Sequence, residues 1–178
     1  NSHAAPELVY RIVPVISEEA EFLMKRSGSL KGIFSECIKI CIFAVTLGSG
    51  VDELIRKTQI SDMALAVAVE AAANAVIFKI CRNFETDLKN RYNEENLYLT
   101  CKASPGEGEI PLSLQKDLCD MLNATRRIGL TITDSYMLIP GKSVTKICGL
   151  SENAHTYTDP GCKGCSMYER CEIREAAW

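Results

Sequence analysis

The sequence predicts an α+β fold, a mixed or antiparallel sheet packed against one long alanine-rich helix. Three observations carry that prediction. Strand and helix patterns alternate irregularly, without the repeating strand–helix–strand unit that builds a parallel sheet. One helical pattern, from Ser61 to about Tyr92, is far longer than the others and rich in alanine. Two β-rich runs, 128–133 and 143–150, flank a turn at Pro140 and Gly141, which reads as antiparallel pairing.

The first element is a Val- and Ile-rich strand over 8–16, broken near Pro14. Ser17 caps a short helix with Glu18 and Glu19 in its first turn, the charge that a helix N-terminus favours. Phe22 and Leu23 form its apolar side, and Gly28 ends it. Residues 37–46 are almost uniformly apolar, the pattern of a central strand buried on both faces, and Gly48 and Gly50 stop it. A short helix follows over 51–57. The long helix, capped by Ser61, is apolar nearly all round in its first half, which predicts burial; from Arg82 it becomes amphipathic. Residues 97–103 form a strand and 104–111 a loop rich in Pro and Gly. Ser113 caps a helix over 114–122, with Leu114, Leu118, Met121 and Leu122 on one side. Residues 6–150 make up the α+β unit. Residues 151–178 form a polar, turn-rich segment containing cysteines, and 1–5 read as a remnant or a frayed end.

Composition narrows the function classes. The chain has 178 residues, 47% of them hydrophobic, enough to bury a core without disulfides. The net charge of -3 offers no basic field to nucleic acid. Nine cysteines, an odd number without a secretory leader, point to reduced thiols in a cytoplasmic protein. The apolar stretch 63–81 is mostly alanine and is interrupted by Glu70, Asn74 and Lys79, a poor membrane span.

Several familiar motifs fail. Gly141, Lys142 and Ser143 end like a phosphate-binding P-loop, but Tyr136 stands where that pattern needs glycine and no helix follows. Gly48 and Gly50 are not followed by a dinucleotide fingerprint. With His3 and His155 the only histidines, a histidine-based triad is not expected. Cys37, Cys41, Cys81, Cys101 and Cys119 lie in apolar runs and read as buried structural thiols. The terminal cysteines differ. Cys162 and Cys165 are spaced so that one metal can take both thiolates, Cys171 is available as a third ligand, and Cys148 or His155 as a fourth. Such a sulfur-rich set suits zinc or an iron–sulfur cluster. Free thiols are the competing reading.

Two segments carry a family resemblance. The stretch 104–112 reads SPGEGEIPL, and 129–144 reads GLTITDSYMLIPGKSV. They resemble the activation, or reactivation, domain of cobalamin-dependent methionine synthase, and are more similar still to short free-standing proteins of that family. There an arginine precedes a Pro-Gly-Tyr turn with a proline just downstream, and a Leu-Thr run leads to Met and to Pro-Gly-x-Ser-Val. The stretch AVTLG at 44–48, the alanine-rich helix and the terminal cysteines fit the free-standing relatives. The resemblance spans residues 8–174.

It implies an accessory protein that binds S-adenosylmethionine and serves reductive remethylation of a corrinoid-dependent methyltransferase such as methionine synthase. The partner carries the cobalamin, and a reductase or flavodoxin-like protein supplies the electron. No general acid or base is required. Lys102, Ala103 and Gly106 would line the S-adenosylmethionine site, with Glu107 nearby. Lys102 stands where the family has its carboxylate-binding arginine, which keeps the charge without the bidentate fork. Glu107 stands where the family has tyrosine. Asp134 to Tyr136 and Pro140 to Ser143 would shape the wall facing the corrin. The family's acidic ligand from the long helix has no acidic counterpart here; the nearest alignment offers Phe78 or Arg82. The alternatives are a metal-binding accessory protein of corrinoid metabolism, and a docking scaffold without its own ligand.

Overall fold

The computed structural model describes residues 5–154 and 168–170. Its centre is a four-stranded sheet built from β1 (Glu7–Pro14), β2 (Lys39–Thr46), β3 (Tyr98–Ala103) and β6 (Ser143–Ser151). The spatial order is β1-β2-β6-β3 and every pairing is antiparallel. The apolar run at 37–46 does become an interior strand. Residues 40 to 46 are all buried, between β1 and β6.

The two faces of the sheet are covered differently. Helices α1 (Glu18–Arg26), α2 (Gly28–Ile33), α5 (Leu114–Leu122) and α6 (Ala124–Ile128) close one face over Val9, Val13, Ile40, Ile42, Ala44 and Ile147. Helices α3 (Ser49–Ser61) and α4 (Met63–Asn93) serve the other, where Cys41, Phe43, Val45, Cys148 and Leu150 meet Ala73, Ile77, Cys81, Leu88 and Tyr92. The i, i+4, i+7 spacing of the α4 contacts is what a helix lying on a sheet requires.

Local chemistry corrects several boundaries. Ser61 closes α3, where its hydroxyl donates back to the Lys57 carbonyl. The cap of α4 is Asp62, whose carboxylate accepts from the Leu65 N–H. The helix over 51–57 therefore extends to Ser49–Ser61. Gly28 opens α2 instead of ending the first helical segment; the break is at Ser27, which has extended backbone. Ser17 caps α1 as expected, accepting from Ala20, whereas Ser113 makes no side-chain cap bond.

The expected pairing of 128–133 with 143–150 does not occur. Asn123 adopts the left-handed conformation, which its short polar side chain tolerates, and α6 follows from it. Only Thr131–Ile132 (β4) remains extended, and it pairs with Leu138–Ile139 (β5) in a separate two-stranded ribbon. That frees β6 to enter the main sheet between β2 and β3.

The first half of α4 is not buried as its composition suggests. Met63, Leu65, Val67, Val76 and Phe78 stand exposed, and only Ala66, Ala73 and Ile77 of this half are buried. By length and composition α4 is also apolar enough to cross a bilayer, despite Glu70, Asn74 and Lys79. In this fold its second half packs on the sheet, while Glu70 and Asn74 hold the Lys142 ammonium at 2.9 and 3.0 Å.

Candidate functional site

Strand β3 carries the first predicted site residues, and an irregularity aims them. Leu99 faces Leu150 and Lys102 faces Cys148, so Thr100 and Cys101 together oppose the single residue Gly149. Such a bulge redirects the side chains around it. Here Cys101 and Ala103 enter the core under α5, while Lys102 emerges on the α4 side.

There Lys102 meets a residue that the sequence reading did not place. The Glu85 carboxylate on α4 accepts from Lys102 Nζ at 2.6 Å and from Lys146 Nζ of β6 at 3.4 Å. The Glu85 side chain is only 8% exposed, against 38% for Lys102 and 20% for Lys146. A carboxylate this deep is tolerable because two ammonium groups share it. Lys102 is the more exposed of the two cations.

Phe78 and Arg82, the positions that alignment offers for the helix's acid, fall two turns and one turn before Glu85, respectively, on the same side of α4. With Ala75 and Lys79 they line a groove of about 370 Å³. The side chain that α4 brings to Lys102 is thus Glu85, while Phe78 and Arg82 line the groove.

The loop after β3 is a tight, self-bonded turn. The Glu107 N–H donates to the Ser104 carbonyl, the Ile110 N–H to the Glu107 carbonyl, and the Gly106 N–H to the Ile110 carbonyl. Gly106 has φ +87°, and a Cβ there would press on Leu112 at 3.2 Å, so this turn calls for glycine. Glu107 is exposed. Ala103 is buried, which leaves only its backbone to a ligand.

Asp134 and Tyr136 lie on a second exposed loop, between β4 and β5. Tyr136 has φ +64°, and its carbonyl accepts from the Gln115 side chain at the start of α5. The following turn is fastened to α3 and α4. The Gly141 N–H donates to Asp52 at 2.6 Å, Lys142 pairs with Glu70, and Ser143 donates to the Thr46 hydroxyl at 2.8 Å. Asp52, Ile55, Arg56, Gln59 and Glu70 border a shallow cleft of about 310 Å³ beside it.

Of the predicted metal ligands, Cys162, Cys165, Cys171 and His155 lie outside the described residues. Cys148 is fully buried beneath α4, and burial drives its thiol far above the usual range. Among the described residues no group of three His, Cys, Asp or Glu is arranged to hold a metal.

The chain thus forms an antiparallel sheet with a long helix across one face, where Glu85 of the helix is shared by two lysines of the sheet. A solved structure of the reactivation domain of MetH bound to AdoHcy matches it with a TM-score of 0.56 at 20% identity. The match covers 67% of this chain and 42% of that one, so the chain spans less than half the length of that relative. The family model for the activation domain of vitamin B12-dependent methionine synthase matches residues 34–160, and the chain belongs to that family. Among curated proteins, none matches it significantly.

Proposed function

We propose that this chain binds S-adenosylmethionine against β3 and α4 and presents it to a corrinoid-dependent methyltransferase, methionine synthase or a relative, for reductive remethylation. The observation that carries the reading is the Lys102–Glu85–Lys146 cluster, in a chain of this family and with Lys102 on the strand that runs into the Gly106 turn. The donor set fits the ligand. Lys102 supplies an ammonium for the ligand carboxylate. Glu85 supplies negative charge for a sulfonium while Lys146 continues to balance it. The groove lined by Phe78 and Arg82, on the preceding turns of the same helix, offers an apolar wall for the rest of the ligand. The ligand of the related MetH structure, AdoHcy, has the same carboxylate and adenosine groups but no sulfonium.

In this reading the partner's corrinoid supplies the cobalt that accepts the methyl group, and a reductase or flavodoxin-like protein supplies the electron. The chain's own residues position the ligand and keep water from competing. Lys102 fixes its orientation, the Gly106 turn and Ala103 offer backbone groups, and Asp134 and Tyr136 present a second loop toward the partner. The site of action is cytoplasmic.

Calorimetric titration of S-adenosylmethionine into the reduced protein tests this. Binding is expected, weakened in Lys102→Ala by about ten- to a hundredfold, the loss of one charge-assisted contact, and largely kept in Lys102→Arg. Absence of heat from folded protein at a ligand excess sufficient to detect millimolar affinity would refute the reading.

A further inference from the structure

The Cys37 and Cys101 sulfurs lie 3.4 Å apart, both buried. Cys37 sits in the turn that feeds β2, its N–H donating to the Phe34 carbonyl at 3.1 Å. Cys101 is one of the two bulge residues of β3. The space the sulfurs occupy is kept open by Gly149 across the sheet, where a Cβ would stand 2.3 Å from each. The Thr100 hydroxyl lies 3.7 and 3.8 Å from the two sulfurs. Bulge, glycine and hydroxyl therefore converge on one pair of thiols.

The pair is also polarised. The hydrogen bond from Cys101 is the largest influence on Cys37 and brings its thiol down to about 7, aided by Thr100 and opposed by burial and Glu36. Cys101 moves the other way, raised by that same bond and by burial. The core thiols Cys41 and Cys119 are instead pushed up by burial, to about 12 and about 11. A thiol held near the thiolate next to a protonated neighbour has the division of labour of a nucleophile and its resolving partner.

We propose that Cys37 and Cys101 form a reversible dithiol–disulfide site that reacts with a small hydroperoxide, Cys37 attacking first. The Cys37 thiolate sulfur bonds to one peroxide oxygen, and the O–O bond breaks with release of hydroxide, which takes up a proton to become water. The Cys101 sulfur, giving up its proton, then bonds to the Cys37 sulfur and displaces the added oxygen as a second water. Two thiols and one hydrogen peroxide yield one disulfide and two waters; the sulfurs lose two electrons and the peroxide oxygens gain them. The bridge joins the turn before β2 to the bulge of β3, one residue from Lys102. The site stands whether or not Lys102 holds a ligand.

The test is peroxide treatment of the reduced full chain, followed by alkylation, digestion without reduction and peptide mapping. A peptide linked through Cys37 and Cys101, cleaved again by dithiothreitol, is the expected product. In Cys101→Ser the expected product is a sulfenic acid at Cys37 that a 1,3-dione reagent captures. Recovery of Cys37 and Cys101 both fully alkylated while other cysteines oxidise would overturn the proposal, as would a bridge from Cys37 to any other cysteine. If Cys101→Ser does not fold, the map of the unaltered chain decides alone.

Discussion

Gly149→Ala probes the packing between the sheet and its buried thiols. The new methyl carbon would stand 2.3 Å from the Cys37 and Cys101 sulfurs and 3.0 Å from Phe34 Cδ1. Comfortable contact needs about 3.5 Å or more, so each sulfur must retreat by roughly 1.2 Å. The backbone cannot yield instead, because Gly149 is paired with Ile40 on one side and faces the β3 bulge on the other. Overpacking of a core typically destabilises by about 1–3 kcal/mol, and three simultaneous clashes place this change at about 3. For a chain of this length that lowers Tm by about 6–12 °C, since each kcal/mol shifts it by about 2–4 °C. Urea unfolding, read as a midpoint shift at constant slope, measures the effect. In a background with both cysteines changed to alanine the same substitution should destabilise by no more than about 1 kcal/mol, which closes a double-mutant cycle. Gly32→Ala on α2, where nothing lies within 4 Å of an added Cβ, is the control, expected to be neutral or slightly stabilising. Equal losses in the two backgrounds would show that the sulfurs are not what Gly149 accommodates.

Three further outcomes are expected. Asp62→Ala should destabilise by about 1 kcal/mol in thermal unfolding through loss of the α4 cap, whereas Ser61→Ala should stay within about 0.5. Glu85→Ala, which leaves Lys102 and Lys146 without their shared anion, should destabilise by about 1–3 kcal/mol and do so less at high salt, because both lysines reach solvent. Carboxymethylation followed by mass spectrometry should show Cys37 gaining reactivity as pH rises through about 7, where its lowered thiol ionises, while Cys41, raised to about 12, stays unreactive throughout.

How far the sequence could be read depended on the range of the interaction concerned. The uninterrupted apolar run at 40–46 can only be an interior strand, and the length of α4 is plain from its pattern. The turn at Gly106 was legible because a Pro-Gly pair marks a fixed local geometry. Glu85 was not, because its role depends on β3 and β6 delivering two lysines to one turn of a helix, and nothing within the helix announces that. The β3 bulge was hidden for the same reason: the run at 97–103 reads as regular, and only Gly149, far along the chain, makes room for the extra residue. The expected hairpin failed because Ile128 closes α6 and Gly129 takes a left-handed backbone, so the extended part of 128–133 shrinks to Thr131–Ile132, which pairs locally with Leu138–Ile139. The burial expected of early α4 failed because alanine content reports on size and helix propensity, not on whether a neighbour is present.

The position of β6 has a consequence for assembly. It is the last of the sheet's strands in chain order, yet it occupies an interior place, with β2 on one flank and β3 on the other. During synthesis β1 and β2 can zip together early, while β3 must wait for a partner that emerges some forty residues later. The closing step therefore joins the most distant parts of the chain, a slow kind of contact. Lys146 reaches Glu85 only with that step. A nascent chain stopped before Ser143 would thus lack both the strand that pairs with β3 and the second lysine of Glu85.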